Sequence, residues 1–201
     1  MPKEIIVIDD GSTDNSRAIL ENEISDPQVK INYNEKNEGK GVALRKGFAL
    51  LQGDYVVIQD ADFEISPKEL FKLQMLASRD NLDVIYGSRL LNGKNKFHFN
   101  SYLGNKILTF ITNILFSANL TDMETPLKMF KKDVLKDINL ESRGFEIEAE
   151  ITAKLLRRNY KITEVPIVYY PRSRKEGKKI GLMDGLIAIF TLLKCKFNLL
   201  K

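Results

Sequence analysis

Two short apolar runs in this chain each end abruptly in carboxylates. Ile5-Ile6-Val7-Ile8 is followed by Asp9-Asp10-Gly11-Ser12-Thr13-Asp14, and Tyr55-Val56-Val57-Ile58 by Gln59-Asp60-Ala61-Asp62-Phe63-Glu64. A β-branched run bounded by turn residues is the pattern of a buried strand. Each acidic cluster therefore stands at the carboxyl end of a strand, the edge at which open α/β sheets bind ligands. After the first cluster, Ser12, Thr13 or Asp14 can cap a helix running through Leu20.

The rest of the chain repeats this rhythm. Strands are expected at 4–9, 29–33, 54–60 and 82–87, with helices at 14–23, 40–52 and 67–79. Ser66-Pro67-Lys68-Glu69 supplies a helix start, with Ser as the cap, Pro at the first position and Glu at the third. Beyond these come a helix near 100–118, a strand at 127–131, a helix at 145–158, a strand at 162–169 and a helix at 182–197. Alternation of this kind predicts an α/β fold, a doubly wound, mostly parallel sheet with helices on both faces. At 201 residues and 43% hydrophobic content, with no internal repeat, the chain fits a single domain over 1–201.

Charged residues make up 29% of the chain and the net charge is +4, which argues against disorder. The positive excess is local: Arg172-Ser173-Arg174-Lys175-Glu176-Gly177-Lys178-Lys179. Such a run suits a solvated loop, a phosphate-binding loop or a membrane-surface contact. No nucleic-acid recognition motif accompanies it. Cys195 is the single cysteine, so no intrachain disulfide can form, which suits a reducing compartment. His98 is the single histidine, which makes a histidine metal site or a catalytic triad hard to build. No signal peptide is visible before the first strand.

Asp60, Asp62 and Glu64 repel one another unless a cation joins them, and the natural guest is Mg²⁺ or Mn²⁺ bridging to phosphates. A solvated acidic turn is the alternative. In 103–116, Leu103, Ile107, Phe110, Ile111, Ile114 and Leu115 share one helical face opposite Asn105, Thr109, Thr112 and Asn113. Leu182, Leu186, Ile189, Phe190 and Leu193 form a second stripe. Both stripes fit packing against the protein's own core, contact with a membrane surface, or a homodimer. Neither is long enough to span a bilayer.

Read in order, Asp9–Asp14, Asn37-Glu38-Gly39-Lys40-Gly41, Asp60-Ala61-Asp62 and Gly87-Ser88-Arg89 resemble family 2 glycosyltransferases, closest to dolichyl- or polyprenyl-phosphate mannose or glucose synthases. The resemblance continues through Thr121–Thr125, Phe145–Glu148, Glu164–Ile167 and the Arg172–Lys179 loop. It implies a GT-A fold and an inverting transfer of a hexose from UDP-glucose or GDP-mannose to a polyprenyl phosphate at the cytoplasmic membrane face. In that reading Asp10 contacts the nucleoside and Lys40 lies near the base or ribose. Asp60, Ala61 and Asp62 form the D-x-D that meets donor and metal, with Glu64 as a further metal ligand. Arg89 faces a donor or acceptor phosphate, Asp122 lies near the reacting sugar, and Arg172, Lys178 and Lys179 clamp the lipid phosphate and the donor diphosphate. Segments 97–120 and 172–201 become peripheral membrane-surface elements. Members usually begin with an earlier βα unit carrying a P-x-Y-N-E-type motif, so the resemblance implies that this unit is missing here.

An ionised phosphate acceptor needs little general-base help. The same fold acting on a saccharide or protein hydroxyl would need a base, Asp122 or Glu148. A truncated, non-catalytic nucleotide-sugar-binding module is the third reading.

Overall fold

The structure is a computed structural model, which describes residues 3–172 and 181–199. Its elements follow the expected alternation: β1 (Ile5–Asp9), α1 (Ser16–Glu23), β2 (Val29–Tyr33), α2 (Lys40–Ala49), β3 (Tyr55–Val57), α3 (Leu70–Asp80), β4 (Val84–Ser88) and α4 (Phe99–Phe116). There follow β5 (Lys128–Lys131), α5 (Lys132–Asp137), α6 (Ile147–Arg157), β6 (Ile162–Pro166) and α7 (Leu182–Lys196). Helix α5 has no counterpart in the sequence reading, because six residues hold too little periodicity to announce a helix. The expected strand over 54–60 is shorter. Its ladder covers Tyr55–Val57, and from Gln59 the chain leaves the sheet, carrying Asp60 and Asp62 into the following turn.

β1 and β2 pair in parallel, Ile5 opposite Val29. The other strands lie in the order β3-β5-β4-β6. β4 and β6 are parallel, but β5 runs antiparallel to both β3 and β4, so the sheet is mixed. A short apolar run carries no mark of its direction, which is why the sequence reading leaned to a parallel sheet.

Strand residues alternate between two covered faces. Val84, Tyr86 and Phe130 pack with Val134 of α5 and with Ile147, Ile151 and Leu155 of α6, and Leu44 and Phe48 of α2 lie against them. Ile85, Leu127 and Met129 face the other way, onto Leu73 and Ala77 of α3. Helices thus cover both faces. Each fully buried Leu or Ile contributes about 1.5–3 kcal/mol. A third cluster joins Leu108 of α4, Ala149 and Ala153 of α6, and Ala188, Leu192 and Cys195 of α7. Cys195 is therefore a packing residue, with burial raising its thiol pKa to about 11.

α4 turns polar residues inward beside apolar ones, since Leu108, Ile111 and Leu115 also pack on the third cluster. Asn105, Thr109 and Thr112 are buried, while Phe110 is 65% and Ile114 63% exposed. α7, which packs beside it, exposes Leu182, Leu186 and Phe190. Among the described residues, no helix is long and apolar enough to cross a membrane.

Candidate functional site

The loops after β1, β2, β3 and β4 converge around the starts of α2 and α6. At the tip of β1, Asp10 accepts hydrogen bonds from Asn34 Nδ2 at 2.7 Å, Glu38 N at 2.9 Å and Gly39 N at 2.8 Å. It thereby places an anion at the N-terminus of α2, where the free amides and helix dipole favour it. Burial pushes its carboxyl up, but the hydrogen bonds from Glu38, Asn34 and Gly39 outweigh it and hold the group below the usual range. Its partners are thus the chain's own turn. Gly11, at φ +70°, lies so close that an added Cβ would sit 2.5 Å from the Lys36 carbonyl carbon, so no larger residue fits. Asp9 turns to Ser12, accepting from its amide at 3.2 Å and from its hydroxyl.

α2 and α6 begin side by side. Gly41 N donates to Arg143 O at 2.7 Å, and a Cβ at Gly41 would meet the Ser142 backbone. That close approach brings Lys40 to Glu148: Nζ lies 2.9 Å from Glu148 Oε1 and 2.8 Å from Asp60 Oδ2. The other Glu148 oxygen pairs with Lys128, whose Nζ also donates to the Glu148 carbonyl at 3.1 Å and lies 5.0 Å from the centre of the Tyr86 ring. Lys128 is fully buried. Burial drives its pKa down despite the Glu148 charge. Burial likewise opposes the Lys40 charge, but Glu148 and Asp60 reverse that and hold Lys40 protonated.

Asp62 and Glu64 turn the other way. Asp62 Oδ2 accepts from Arg172 Nη2 at 2.8 Å, and Glu64 Oε1 accepts from Arg172 N at 2.9 Å. Tyr169 OH donates to Glu64 Oε2 at 3.2 Å. Ala61 stands exposed in the turn between the two aspartates. Arg172 is thus on the carboxylates expected to hold a metal. Lys178 and Lys179 lie outside the described residues.

The third focus is Arg89, just past β4. Its Nε and Nη2 donate to Asp122 Oδ2 and Oδ1, both at 2.8 Å, a bidentate pair joined by Arg89 N at 2.9 Å. Asn105 of α4 donates to Asp122 Oδ1 at 2.7 Å, and Glu164 accepts from the amides of Thr121 and Asp122. Burial raises the Asp122 carboxyl, but Arg89 overrides it and keeps the group ionised below its usual range.

The family model for glycosyl transferase family 2 matches residues 1–139. This chain belongs to that family. It is 30% identical over 199 residues to a dolichol-phosphate mannosyltransferase of Pyrococcus furiosus, covering 95% of this chain and 55% of the relative. It is 29% identical over 171 residues to a low-salt glycan biosynthesis hexosyltransferase of Haloferax volcanii, covering 83% of this chain and 40% of the relative. An undecaprenyl-phosphate mannosyltransferase of Micrococcus luteus is 28% identical over 193 residues, covering 90% of this chain and 78% of the relative. The chain thus spans about half the length, or less, of the first two. In fold it is similar to mannosyl-3-phosphoglycerate synthase of Rubrobacter xylanophilus, with a TM-score of 0.72, 15% identity and coverage of 98% of this chain and 63% of that one. Glucosyl-3-phosphoglycerate synthase of Mycobacterium tuberculosis, in complex with Mn²⁺, UDP and glucosyl-3-phosphoglycerate, aligns at TM-score 0.71 and 18% identity, covering 96% and 69%. These likenesses establish the GT-A fold of the family 2 domain.

Among the described residues of this family 2 domain, no three Asp, Glu, His or Cys side chains gather as a metal cluster. Asp60 is drawn to Lys40, which leaves Asp62 and Glu64 as a pair half neutralised by one cationic group, Arg172. Two hard oxygen donors sharing one positive charge fit a divalent ion.

Three site residues of the transferase had no role assigned from the sequence. Lys128 carried a signal, a lysine inside the apolar run Leu127–Phe130. Glu164 opened one of the family segments, Glu164–Ile167. Glu124 stands two residues from Asp122, and its Oε1 is buried without a hydrogen-bond partner among the described residues. Burial, reinforced by Glu148 and Asp122 and only partly offset by Lys128 and Arg89, pushes its carboxyl up to about 7 from an ordinary 4.5. Between those values the folded protein holds a proton that the unfolded chain has lost, so stability falls as pH rises. The loss is about 3 kcal/mol, complete above pH ~7. Glu124→Gln removes it, and urea denaturation across that range shows the variant gaining on the wild type as pH rises. Parallel pH profiles would contradict this reading.

Proposed function

We propose that this chain carries the catalytic domain of an inverting transferase that moves a hexose from a nucleotide sugar to a polyprenyl phosphate at a membrane surface. The apolar residues that α4 leaves exposed carry the reading. Asn105 on its buried face donates to Asp122, while Phe110 and Ile114 of the same helix meet solvent. An apolar surface shared with α7 is thereby tied to the site by a single helix. Exposed apolar area of this kind suits a lipid boundary, with Lys106, Lys194 and Lys196 available to anionic headgroups. The relatives that act on dolichol phosphate and undecaprenyl phosphate by name support the acceptor class.

A phosphate acceptor is already anionic, so the chain need not supply a strong base. Asp122 is unsuited to that task, because Arg89 and Asn105 occupy both its oxygens. The harder step is departure of the nucleoside diphosphate from the anomeric carbon. A divalent ion bound at Asp62 and Glu64 would supply charge neutralisation for that leaving group. Arg172, beside them, would add a fixed guanidinium. In-line attack by the phosphate oxygen inverts the anomeric centre. An acceptor hydroxyl is the second reading, favoured by Glu124, whose unpartnered oxygen takes up a proton near neutral pH.

The test is transfer from UDP-glucose or GDP-mannose, with Mn²⁺, to polyprenyl phosphate and to the unphosphorylated polyprenol. Product from the phosphate alone supports the proposal, whereas equal transfer to the alcohol favours the hydroxyl reading. Asp62→Asn should weaken Mn²⁺-dependent nucleotide binding by roughly tenfold or more, the equivalent of about 1.4 kcal/mol. Isothermal titration with UDP and GDP reads this directly, and unchanged binding would remove Asp62 from the ligand set.

A further inference from the structure

We infer that Lys40, itself held by Glu148, serves the donor site as a positioning residue acting through Asp60 rather than by touching the nucleotide. The inference rests on the reading of Asp60 as a donor-site carboxylate. Lys40 is only 15% exposed, and its ammonium spans two carboxylates, Asp60 at 2.8 Å and Glu148 at 2.9 Å. Glu148 is itself pinned from beneath by the buried Lys128. The two lysines and two carboxylates thus alternate in one chain of ion pairs, Asp60–Lys40–Glu148–Lys128. Two of the three ammonium donors face these carboxylates, which fixes Lys40 between Asp60 and Glu148 and leaves at most one donor for a base or ribose.

Asp60 gains most from this arrangement. It lies beyond the last ladder residue of β3, in a turn where Phe63 adopts φ +60°. Apart from Lys40, its carboxylate has no other ion-pair partner among the described residues. Lys40 ties that turn to the first residue of α2, and Glu148 ties Lys40 to the first turn of α6. Two helix starts therefore fix one loop carboxylate, which is the preorganisation a binding site needs. The local sequence does not show this, because Lys40 stands in a Gly-flanked turn of the kind that cradles nucleotides.

A double-mutant cycle decides the matter. Nucleotide binding with Mn²⁺ is measured, using UDP and GDP, for the wild type, Lys40→Met, Asp60→Asn, the double variant and Lys40→Arg. Each single neutralisation should weaken binding about tenfold, and the double variant should be no weaker than Asp60→Asn alone. Lys40→Arg, which keeps the charge between the carboxylates, should recover to within about threefold of the wild type. Should Lys40→Met alone fail to fold, the double variant remains informative, because it leaves no uncompensated charge at either position. A further tenfold loss from Lys40→Met in the Asp60→Asn background would place Lys40 on the nucleotide and overturn the inference. A wild type that binds neither nucleotide would overturn the reading of the site itself.

Discussion

Asp122→Ala should cost the protein about 3–5 kcal/mol of stability, because it strands a buried guanidinium. Arg89 is 13% exposed and Asp122 fully buried, and their bidentate pair is reinforced by the Arg89 amide. Without the carboxylate, Arg89 keeps the face of the Tyr169 ring, at 5.3 Å, but loses the acceptor for three of its donors. The Asn105 amide loses its acceptor too. Asp122→Asn retains part of the acceptor geometry and should lose less. Equilibrium denaturation of the two variants reads both effects. A loss below about 1 kcal/mol for Asp122→Ala would mean that Arg89 relaxes into solvent, as an exposed pair would allow. The prediction bears on activity assays as well. Inactivity of an Asp122 variant is evidence for a base only if that variant is shown to be folded.

Glu148→Ala should have an effect of the same size, about 3–5 kcal/mol, because it leaves two lysines facing each other in the interior. Lys128 bears most of it, since its ammonium is wholly buried and its remaining partners are the Glu148 carbonyl and the Tyr86 ring. The pH dependence follows from the sign of its shift. Burial already lowers the Lys128 pKa in the wild type, with Glu148 opposing it, and removing Glu148 lowers it further. Once pH exceeds the folded pKa, the folded protein has shed a proton that the unfolded chain keeps, so stability rises with pH. The deficit of Glu148→Ala should therefore shrink in alkaline buffer. Adding Lys128→Met should recover much of the loss, as apolar residues commonly replace a buried pair without penalty. A double variant no more stable than Glu148→Ala would show that the loss is one of packing rather than charge.

The alternation of strand and helix, the acidic tips of β1 and β3 and the order of the family segments were all legible along the chain, because each rests on neighbours a few residues apart. Helix periodicity identified α4, but its apolar stripe divides in the fold, Ile111 and Leu115 packing on the core while Leu103, Ile107, Phe110 and Ile114 stay exposed. The Asn105–Asp122 hydrogen bond turned the polar side inward. In the sequence Asp10, Asp60 and Asp62 look alike, each an acid just past a strand end, while Asp122 stands in a turn between a helix and a strand. In the fold they part: Asp10 caps α2, Asp60 joins Lys40, Asp62 joins Arg172 and Asp122 joins Arg89. Those partners lie far along the chain, 33 residues apart for Arg89 and Asp122 and 110 for Asp62 and Arg172. Propensity and periodicity act over one or two turns of chain, so they place an acid at a strand end. Which cation neutralises it depends on the packing of α2 against α6 and on the insertion of β5 between β3 and β4, and only the tertiary structure decides that.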